Sequence, residues 1–144
     1  MNIFYLDKDP ILAAEMSCDK HVCKMIIESA QMLSTAHRII DGTEYYGKTA
    51  NGRKIKRWKH PDKNLEASLY LASHVKHPST IWVMQSAYNY IWLYRHMFSI
   101  FFTCFNIFKS IYWHYLTISI KPFLYHFGIS AGYFQVANSR FFII

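Results

Sequence analysis

The chain has 144 residues, enough for one domain with a core, and its 52% apolar and 18% aromatic content excludes a disordered polypeptide. A formal net charge of +7 and a pI near 9.3 indicate a polyanionic partner, either nucleic acid or an anionic membrane surface, although a soluble basic protein without such a partner stays open. Three cysteines without framework spacing and the lack of a signal-peptide pattern indicate reduced thiols in the cytosol of a cell.

The first predicted element is a short N-terminal arm that leads into a long helix. Residues 3–6 form an apolar run that suits a buried strand or an extended arm. Asp9 precedes Pro10, the arrangement of an N-cap followed by proline at the first helical position. Helical periodicity then runs from Ile11 to Ile40, with an expected break near residues 17–19, and Gly42 is the expected stop. The recurring apolar positions predict that this helix faces the core.

A basic segment follows over residues 43–64. Asn51 and Gly52 form a strong turn signal for a β-hairpin. Cations contact phosphates and an aromatic ring stacks on an exposed base, so we interpret the segment as a nucleic-acid-binding hairpin or mobile loop, with a solvated basic loop as the alternative. Residues 65–74 predict a short helix. The candidate nucleic-acid-binding residues here are Arg53, Lys54, Lys56, Arg57, Trp58 and Lys59.

A second long helix is predicted over residues 79–96, where the sequence is strongly apolar and aromatic. The residues in front of it, His77 to Thr80, offer a turn and a capping hydroxyl. A phosphate at this helix N-terminus would meet backbone amides and the imidazoles of His74 and His77, which are therefore further nucleic-acid-binding candidates. A polar turn with a helix cap is the competing interpretation.

The last third of the chain, residues 97–144, differs in composition from the rest. It contains no acidic residue, and Lys109 and Lys121 divide its first part into uncharged runs shorter than the roughly 18–20 apolar residues of a transmembrane helix. This tail is interpreted either as packed hydrophobic helices, as an interfacial membrane segment, or as the translation of an altered reading frame. We therefore separate a helical domain at 1–96 from this tail and place no functional residue in the tail.

The first long helix carries a polar stripe beside its apolar face. His21, Lys24 and Glu28 are separated by three and four residues, and Gln31, Thr35 and Arg38 continue the stripe. An imidazole, an amine and a carboxylate within two turns are the groups of general acid–base catalysis, whereas a solvated face with a Lys24–Glu28 pair is the alternative. Zinc at Cys18, His21 and Cys23 fits poorly, because no second ligand pair is evident, so neither a metal nor a cofactor is expected.

Two blocks of the sequence resemble a group of small, uncharacterised proteins of phages and large viruses. The blocks are LDKDPILAAEMSCDKHVCKMIIESAQMLSTAHR and HPSTIWVMQSAYNYIWLYRH. The resemblance covers about residues 1–96, and beyond Met97 the chain departs from what that group shows. This departure is a second reason to suspect an altered frame in the tail.

A further resemblance concerns the pair Asp19 and His21 with Glu28 nine residues after Asp19, which is similar to the first helix of the phage pyrimidine-dimer DNA glycosylases. Those are small, basic, all-helical enzymes in which the α-amino group forms a Schiff base with the sugar and a glutamate assists. The resemblance implies Glu28 as the catalytic carboxylate and the Met1 amine as the nucleophile. Lys24, one turn before Glu28 in this chain, is the alternative amine. In that family the reacting α-amino group is exposed by removal of the initiator methionine and belongs to a residue with a small side chain. This chain departs from that pattern, because Asn2 is a poor context for removal of Met1.

The sequence thus predicts a mainly α, compact single-domain helical bundle with a short N-terminal extended arm and a basic hairpin or loop. Its expected function is a virus-encoded, DNA-acting glycosylase or abasic-site lyase for damaged or modified bases. Glu28, His21, Lys24 and Met1 are the candidate catalytic residues, and DNA is the expected partner. The alternatives are a non-catalytic nucleic-acid-binding protein and a small protein attached to membranes by its tail.

Overall fold

The computed structural model describes residues 1–17 and 19–108, with side chains for residues 1–17 and 22–104. The elements in chain order are α1 (Pro10–Glu15), α2 (Asp19–Ile40), β1 (Thr43–Lys48), β2 (Lys54–Lys59), α3 (Lys63–Ser68), α4 (Pro78–Gln85) and α5 (Ala87–Phe108). The fold is mostly helical, as predicted, but the antiparallel pair of β1 and β2 makes it a mixed structure rather than a purely helical one.

Helix α1 begins where Asp9 and Pro10 predict it. Asp9 Oδ1 accepts a hydrogen bond from the amide of Ile11 at 2.8 Å, which satisfies an amide that the first helical turn leaves without an intrahelical partner. The expected break follows, since α1 ends at Glu15 and α2 begins at Asp19. Residues 3–6 do not form a strand; they belong to an arm without regular secondary structure, and Ile3 packs against the core.

Helix α2 supplies the centre of the core and packs against α4 and α5, while α1 packs against α5. Helix α2 ends at Ile40, two residues before the predicted stop at Gly42, and position 42 requires glycine because a Cβ atom there would collide with the carbonyl oxygen of Arg38. Gly42 does not adopt the left-handed backbone that a glycine stop usually provides. The predicted apolar face of α2 is buried except at its last position, because Ile40 at the end of the helix is 63% exposed. The buried members are Val22, Met25, Ile26, Ala30, Met32, Leu33 and Ala36.

The prediction of one continuous helix over residues 79–96 is wrong, because the helix is interrupted at Ser86, between α4 and α5. Ser86 has an extended backbone, with φ −156° and ψ 153°, and its Oγ accepts a hydrogen bond from the amide of Asn89 at 3.1 Å. Ser86 therefore acts as the N-cap of α5. The side-chain amide of Asn89 donates to the carbonyl of Trp82 at 2.7 Å and secures the junction between α4 and α5.

Helix α5 runs past the predicted boundary between the helical domain and the tail at residues 96 and 97. Met97, Ile100, Phe101 and Cys104 are at most 1% exposed and belong to the same core as α2. The helical interpretation of the tail therefore holds for residues 97–108, and residues 109–144 lie outside the described part of the chain. Among the described residues, none of the helices has both the length and the apolar character needed to cross a membrane.

Strands β1 and β2 form the predicted hairpin, with Thr43 opposite Lys59 and Lys48 opposite Lys54. The turn contains Gly52 at φ 73°, a left-handed conformation that glycine adopts without steric cost. Helix α3 starts earlier and ends earlier than the helix predicted for residues 65–74. Asp62 caps it, because Asp62 Oδ1 accepts from the amide of Asn64 at 2.7 Å.

Buried Arg38 attaches the hairpin to the bundle. Its guanidinium group donates to the carbonyl of Trp58 at 2.9 Å and to Glu66 Oε2 at 2.6 Å. It also donates to the carbonyls of Tyr70 at 2.6 Å and Leu69 at 3.0 Å. One side chain at the end of α2 thus fixes the last strand, helix α3 and the segment after it.

Candidate functional site

The N-terminus of the chain lies on helix α2 beside Glu28. The α-amino nitrogen of Met1 is 3.7 Å from Glu28 Oε2, and the amide of Asn2 donates to the same oxygen at 3.1 Å. On the neighbouring turn of the helix, Lys24 Nζ lies 3.3 Å from Glu28 Oε1. The structure therefore brings together three of the four candidate catalytic residues that the sequence indicates.

The arm reaches Glu28 because aromatic residues hold it against α5. The ring of Tyr5 stacks on Trp92 with centroids 4.6 Å apart, and Trp92 Nε1 donates to the carbonyl of Lys8 at 2.9 Å. Trp82 meets both rings edge to face. These contacts fix the path of the arm between residues 5 and 8, so the position of the Met1 amine follows from packing that is distant from it in sequence.

The environment of Glu28 combines partial burial with positive charge. Its side chain is 15% exposed, whereas that of Lys24 is 70% exposed. Burial raises the pKa of the Glu28 carboxyl, but the Asn2 amide, the Lys24 ammonium group and the α-ammonium group outweigh it and hold this pKa below its ordinary value. Glu28 is therefore a carboxylate at neutral pH and lies between two amines.

The fourth candidate, His21, belongs to the first turn of α2, but the structure does not describe its side chain. Seven residues separate it from Glu28, which corresponds to about 10 Å along a helix axis. Lys24 lies between them on the same stripe. The predicted role of His21 in orienting groups or shuttling protons stays a prediction.

The other half of the polar stripe is structural. Thr35 is buried, and its Oγ1 donates to the carbonyl of Gln31 at 2.8 Å and accepts from the amide of Ser73 at 3.2 Å. Arg38, at 1% exposed, is occupied by the hydrogen bonds that hold the hairpin. The stripe predicted from spacing thus divides into a site around Glu28 and a set of internal tethers nearer the C-terminus of α2.

The predicted nucleic-acid-binding residues of the hairpin occupy both faces of the sheet. The strand pairing places Lys54, Lys56 and Trp58 of β2 on one face of the sheet, and Tyr46 and Glu44 of β1 lie on the same face. Lys54 Nζ lies 4.3 Å from the ring centroid of Tyr46, and Lys56 pairs with Glu44 at 2.8 Å.

The opposite face of the hairpin carries Arg57 and Lys59, and Arg53 lies in the turn. Lys54, Lys56, Lys59 and Arg53 are exposed, whereas Arg57 and Trp58 are half-buried. Phosphates can reach the exposed cations, although Lys56 would first have to leave its pair with Glu44. The half-burial of Trp58 reduces the ring area available for stacking.

The hairpin and Glu28 lie at different positions along α2. Arg38, which holds the end of β2, is ten residues after Glu28, or about 15 Å along the helix axis. This separation equals the rise of about four to five nucleotides in a DNA strand. A bound strand would therefore have to span several nucleotides to contact both regions.

The two predicted histidines before α4 differ in what they do. His77 is the N-cap of α4, since its Nδ1 accepts a hydrogen bond from the amide of Ser79 at 3.2 Å. The cap is thus an imidazole rather than the hydroxyl expected from the sequence. His74 is exposed and has φ 49°, a left-handed conformation, and its carbonyl accepts from the amide of His77 at 2.9 Å. These features match the predicted alternative of a polar turn with a helix cap.

Sequence reasoning missed a second polar cluster, formed by His37, Asp41 and His60, whose ligand-type atoms all lie within 4.8 Å of one another. The spacing of four residues between His37, in the last turn of α2, and Asp41, directly after the helix, was the available signal. Of the residues considered for zinc, Cys23 has its Sγ 2.6 Å from Cys104 Sγ, while Cys18 and the side chain of His21 lie outside the described part of the chain.

Comparison with family models, with curated proteins and with solved structures finds no match for this chain.

Proposed function

We propose that the protein acts on DNA as a glycosylase or abasic-site lyase, with an amine nucleophile beside Glu28. The single observation that supports this proposal is the placement of the half-buried Glu28 carboxylate between two amines, Met1 N at 3.7 Å and Lys24 Nζ at 3.3 Å. An amine next to a carboxylate is the minimum that Schiff-base chemistry on a sugar aldehyde requires.

The proposed reaction begins with attack of the neutral amine on C1′ of an abasic sugar in its aldehyde form. The new N–C1′ bond becomes an imine as water leaves, and removal of a C2′ proton then expels the 3′ phosphate by β-elimination. Glu28 carries the carboxylate that pairs with the Met1 amine, and it is the group that accepts protons in these steps. Its lowered pKa keeps it ionised at neutral pH, which suits a base rather than an acid.

Met1 is the preferred nucleophile of the two amines. Its side chain is 4% exposed, so the arm is fixed in place and loses little further freedom when a substrate binds. Lys24 is 70% exposed and carries a long flexible chain that has to be ordered in the transition state. The proposal requires a free α-amino group at Met1, which intact mass and N-terminal sequencing of the purified protein establish.

The exposed cations of the hairpin support DNA as the substrate. Lys54, Lys56 and Arg53 place exposed positive charge on the hairpin, which Arg38 fastens to α2 ten residues after Glu28, so they can hold phosphates several nucleotides from the reacting sugar. Contacts of this kind position a strand without reading its sequence.

Borohydride trapping on an abasic oligonucleotide tests the proposal. The expected result is a covalent protein–DNA product that Glu28→Gln reduces at least a hundredfold, while the exposed-glutamate control Glu15→Gln retains it. A single glycine added before Met1 moves the amine by about 3.8 Å and should abolish trapping if Met1 is the nucleophile. Loss in Lys24→Gln, but not in the exposed-lysine control Lys63→Gln, would assign the reaction to Lys24.

A non-catalytic nucleic-acid-binding protein is the second candidate, and one observation favours it. Met1, Lys24 and Glu28 already pair with one another, and such ion pairs also serve simply to fasten an N-terminal arm. Salt-dependent DNA binding without any trapped product would establish this function and overturn the catalytic proposal.

A further inference from the structure

We propose that His37, Asp41 and His60 bind a divalent transition metal ion, with Zn²⁺ as the best-suited ion. The three residues come from the end of α2, the residue after it and the residue after β2. Two imidazoles and one carboxylate are a ligand set that zinc accepts, and a fourth position stays open to water. The proposal is independent of the function proposed for Glu28.

The donor atoms are close to the spacing that a metal requires. His37 Nδ1 lies 3.3 Å from Asp41 Oδ2, and His60 Nε2 lies 3.9 Å from the same oxygen. Ligands at 2.0–2.1 Å from a tetrahedral zinc ion are separated by about 3.3 Å from one another. The first pair therefore fits as it stands, and the second pair closes by a side-chain movement of about half an ångström in Asp41, whose side chain is 49% exposed. The ligand atoms of the two histidines lie within 4.8 Å of each other, so the two rings also have to approach by up to about 1.5 Å.

A second group orients one of the ligands. The hydroxyl of Tyr90 lies 2.8 Å from His37 Nε2, on the opposite edge of the ring from Asp41. A metal-bound histidine usually donates its other ring N–H to such an oxygen, which fixes the ring and its tautomer. The Tyr90 hydroxyl oxygen can accept that hydrogen bond at the observed distance.

The cluster is sheltered on its imidazole side and open on its carboxylate side. The side chains of His37 and His60 are 12% and 6% exposed, and their rings meet edge to face with centroids 6.2 Å apart. Imidazoles fixed in this way lose little conformational entropy when a metal binds. The half-exposed Asp41 provides the route by which an ion from solvent enters.

Metal binding has a definite cost at His60. His60 Nδ1 accepts a hydrogen bond from the amide of Asp62 at 3.1 Å, which places the proton of the neutral ring on Nε2. Zinc has to displace that proton and weaken the bond to Asp62, so we expect an affinity well below that of a preformed structural site. The competing explanation is a cluster in which Asp41 pairs with two histidines and no metal binds.

The location gives the site a role in the orientation of the hairpin. Asp41 precedes β1 by two residues, and His60 directly follows β2, so both ends of the hairpin meet at the ligands. A metal held there would join the base of the hairpin to helix α2 beside the attachment made by Arg38. Zinc binding should therefore raise the thermal stability of the protein by mass action.

Two measurements on the full chain test the site. The first is a titration with Zn²⁺ in competition with a chromophoric chelator, and the second is the visible spectrum of the Co²⁺ form. We expect one ion per chain and Co²⁺ absorption without the intense near-ultraviolet bands of thiolate ligation. Asp41→Asn and His60→Gln should weaken binding at least a hundredfold, whereas the exposed-histidine control His74→Gln should leave it unchanged. Tyr90→Phe should weaken binding about tenfold, because it removes the partner of His37 Nε2.

Several results would overturn the proposal. Absence of binding at millimolar Zn²⁺ would show a hydrogen-bonded cluster only. Unchanged binding in Asp41→Asn, or thiolate bands in the Co²⁺ spectrum, would show that the ion binds elsewhere in the chain. Asp41 is half-exposed, so its variant is expected to fold, and a circular dichroism melt confirms this independently of metal binding.

Discussion

Arg38 Nη1 donates to Glu66 Oε2 at 2.6 Å, and through this contact the end of α2 fixes helix α3 and the hairpin. Removal of the guanidinium in Arg38→Leu leaves the carbonyls of Trp58 and Leu69 without that donor in a buried setting. We expect a loss of about 3 kcal/mol in the free energy of unfolding, measured by urea denaturation. The exposed Arg95→Leu is the control and should change stability by no more than about 0.5 kcal/mol. Equal effects of the two variants would contradict this role.

Glu28 makes folding sensitive to acid. Because its pKa is lowered in the folded chain, the unfolded chain binds the proton more readily, so the stabilisation is present above the ordinary glutamate pKa of 4.5 and is lost as the pH falls below it. Glu28→Gln keeps an acceptor for the Asn2 amide but removes the charge. We expect its urea midpoint to fall less than that of the unmodified chain between pH 6 and pH 3, with Glu15→Gln behaving like the unmodified chain.

His96 adds a second pH dependence in a higher range. It is 2% exposed and stacks on Trp92, with ring centroids 4.8 Å apart. Burial lowers its pKa from 6.5 to about 4. The polar backbone of Ala13 lies nearby and raises this pKa by a smaller amount, but neither ring nitrogen of His96 has a hydrogen-bond partner within the described part of the chain. Between pH 6.5 and pH 4 the unfolded chain therefore binds the proton more readily than the folded chain. As the pH falls through that interval, the free energy of unfolding should decrease by up to about 3 kcal/mol.

His96→Phe tests this second dependence, because it keeps an aromatic ring on Trp92 and removes the titrating group. We expect its unfolding free energy to change less between pH 6.5 and pH 4 than that of the unmodified chain, as measured by urea denaturation at each pH. The exposed His74→Gln is the control and should leave the slope unchanged. An unaltered slope in His96→Phe would assign the dependence to another histidine.

The hairpin should make DNA binding strongly salt-dependent. Lys54 is exposed and lies over Tyr46 on one face of the sheet. In Lys54→Gln the slope of log K against log salt should become less steep by about 0.7–0.9, the contribution of one phosphate contact. Fluorescence anisotropy with a single-stranded and a double-stranded oligonucleotide measures this slope. Lys63→Gln on α3 is the control, and a slope that Lys54→Gln leaves unchanged would exclude Lys54 from the interface.

Substitution by alanine should change the free energy of unfolding differently at two glycines, one before the hairpin and one in its first strand. At Gly42 the new methyl group would collide with the Arg38 carbonyl, whereas at Gly47 its nearest neighbours are side-chain atoms at 3.5 Å and 3.6 Å. We expect Gly42→Ala to cost about 1–3 kcal/mol of unfolding free energy and Gly47→Ala to be neutral or slightly stabilising. Thermal melts of the two variants check this. A tolerated Gly42→Ala would show that the end of α2 moves freely.

Local signals predicted most of the elements correctly. The N-cap at Asp9, the break after α1, the buried face of α2 and the turn at Gly52 all depend on residues within a few positions of one another. The break at Ser86 was missed because the helical pattern continues across it: apolar and aromatic residues dominate on both sides, and the polar Gln85 and Asn89 keep a four-residue step. A serine cap inside such a run is visible only once the two helices are oriented separately by packing.

The candidate site was predictable in part. Spacing on one helix placed Lys24 and Glu28 together, and the resemblance to glycosylases supplied the idea that the Met1 amine approaches Glu28. Spacing alone also assigned Thr35 and Arg38 to the same stripe, although the structure uses both as internal tethers. Periodicity shows which residues share a side of a helix and does not show which part of that side another segment covers.

The sequence by itself determined where α1, α2 and α4 begin, which face of α2 is apolar and where the chain turns back as a hairpin, because these follow from contacts between residues near in the chain. Only the tertiary structure decided that the arm ends at Glu28 and that His60 joins His37 and Asp41. Those approaches span 27 and 23 residues of sequence and depend on how rings and helices pack. The free energy of such packing is collective, so no short motif encodes it.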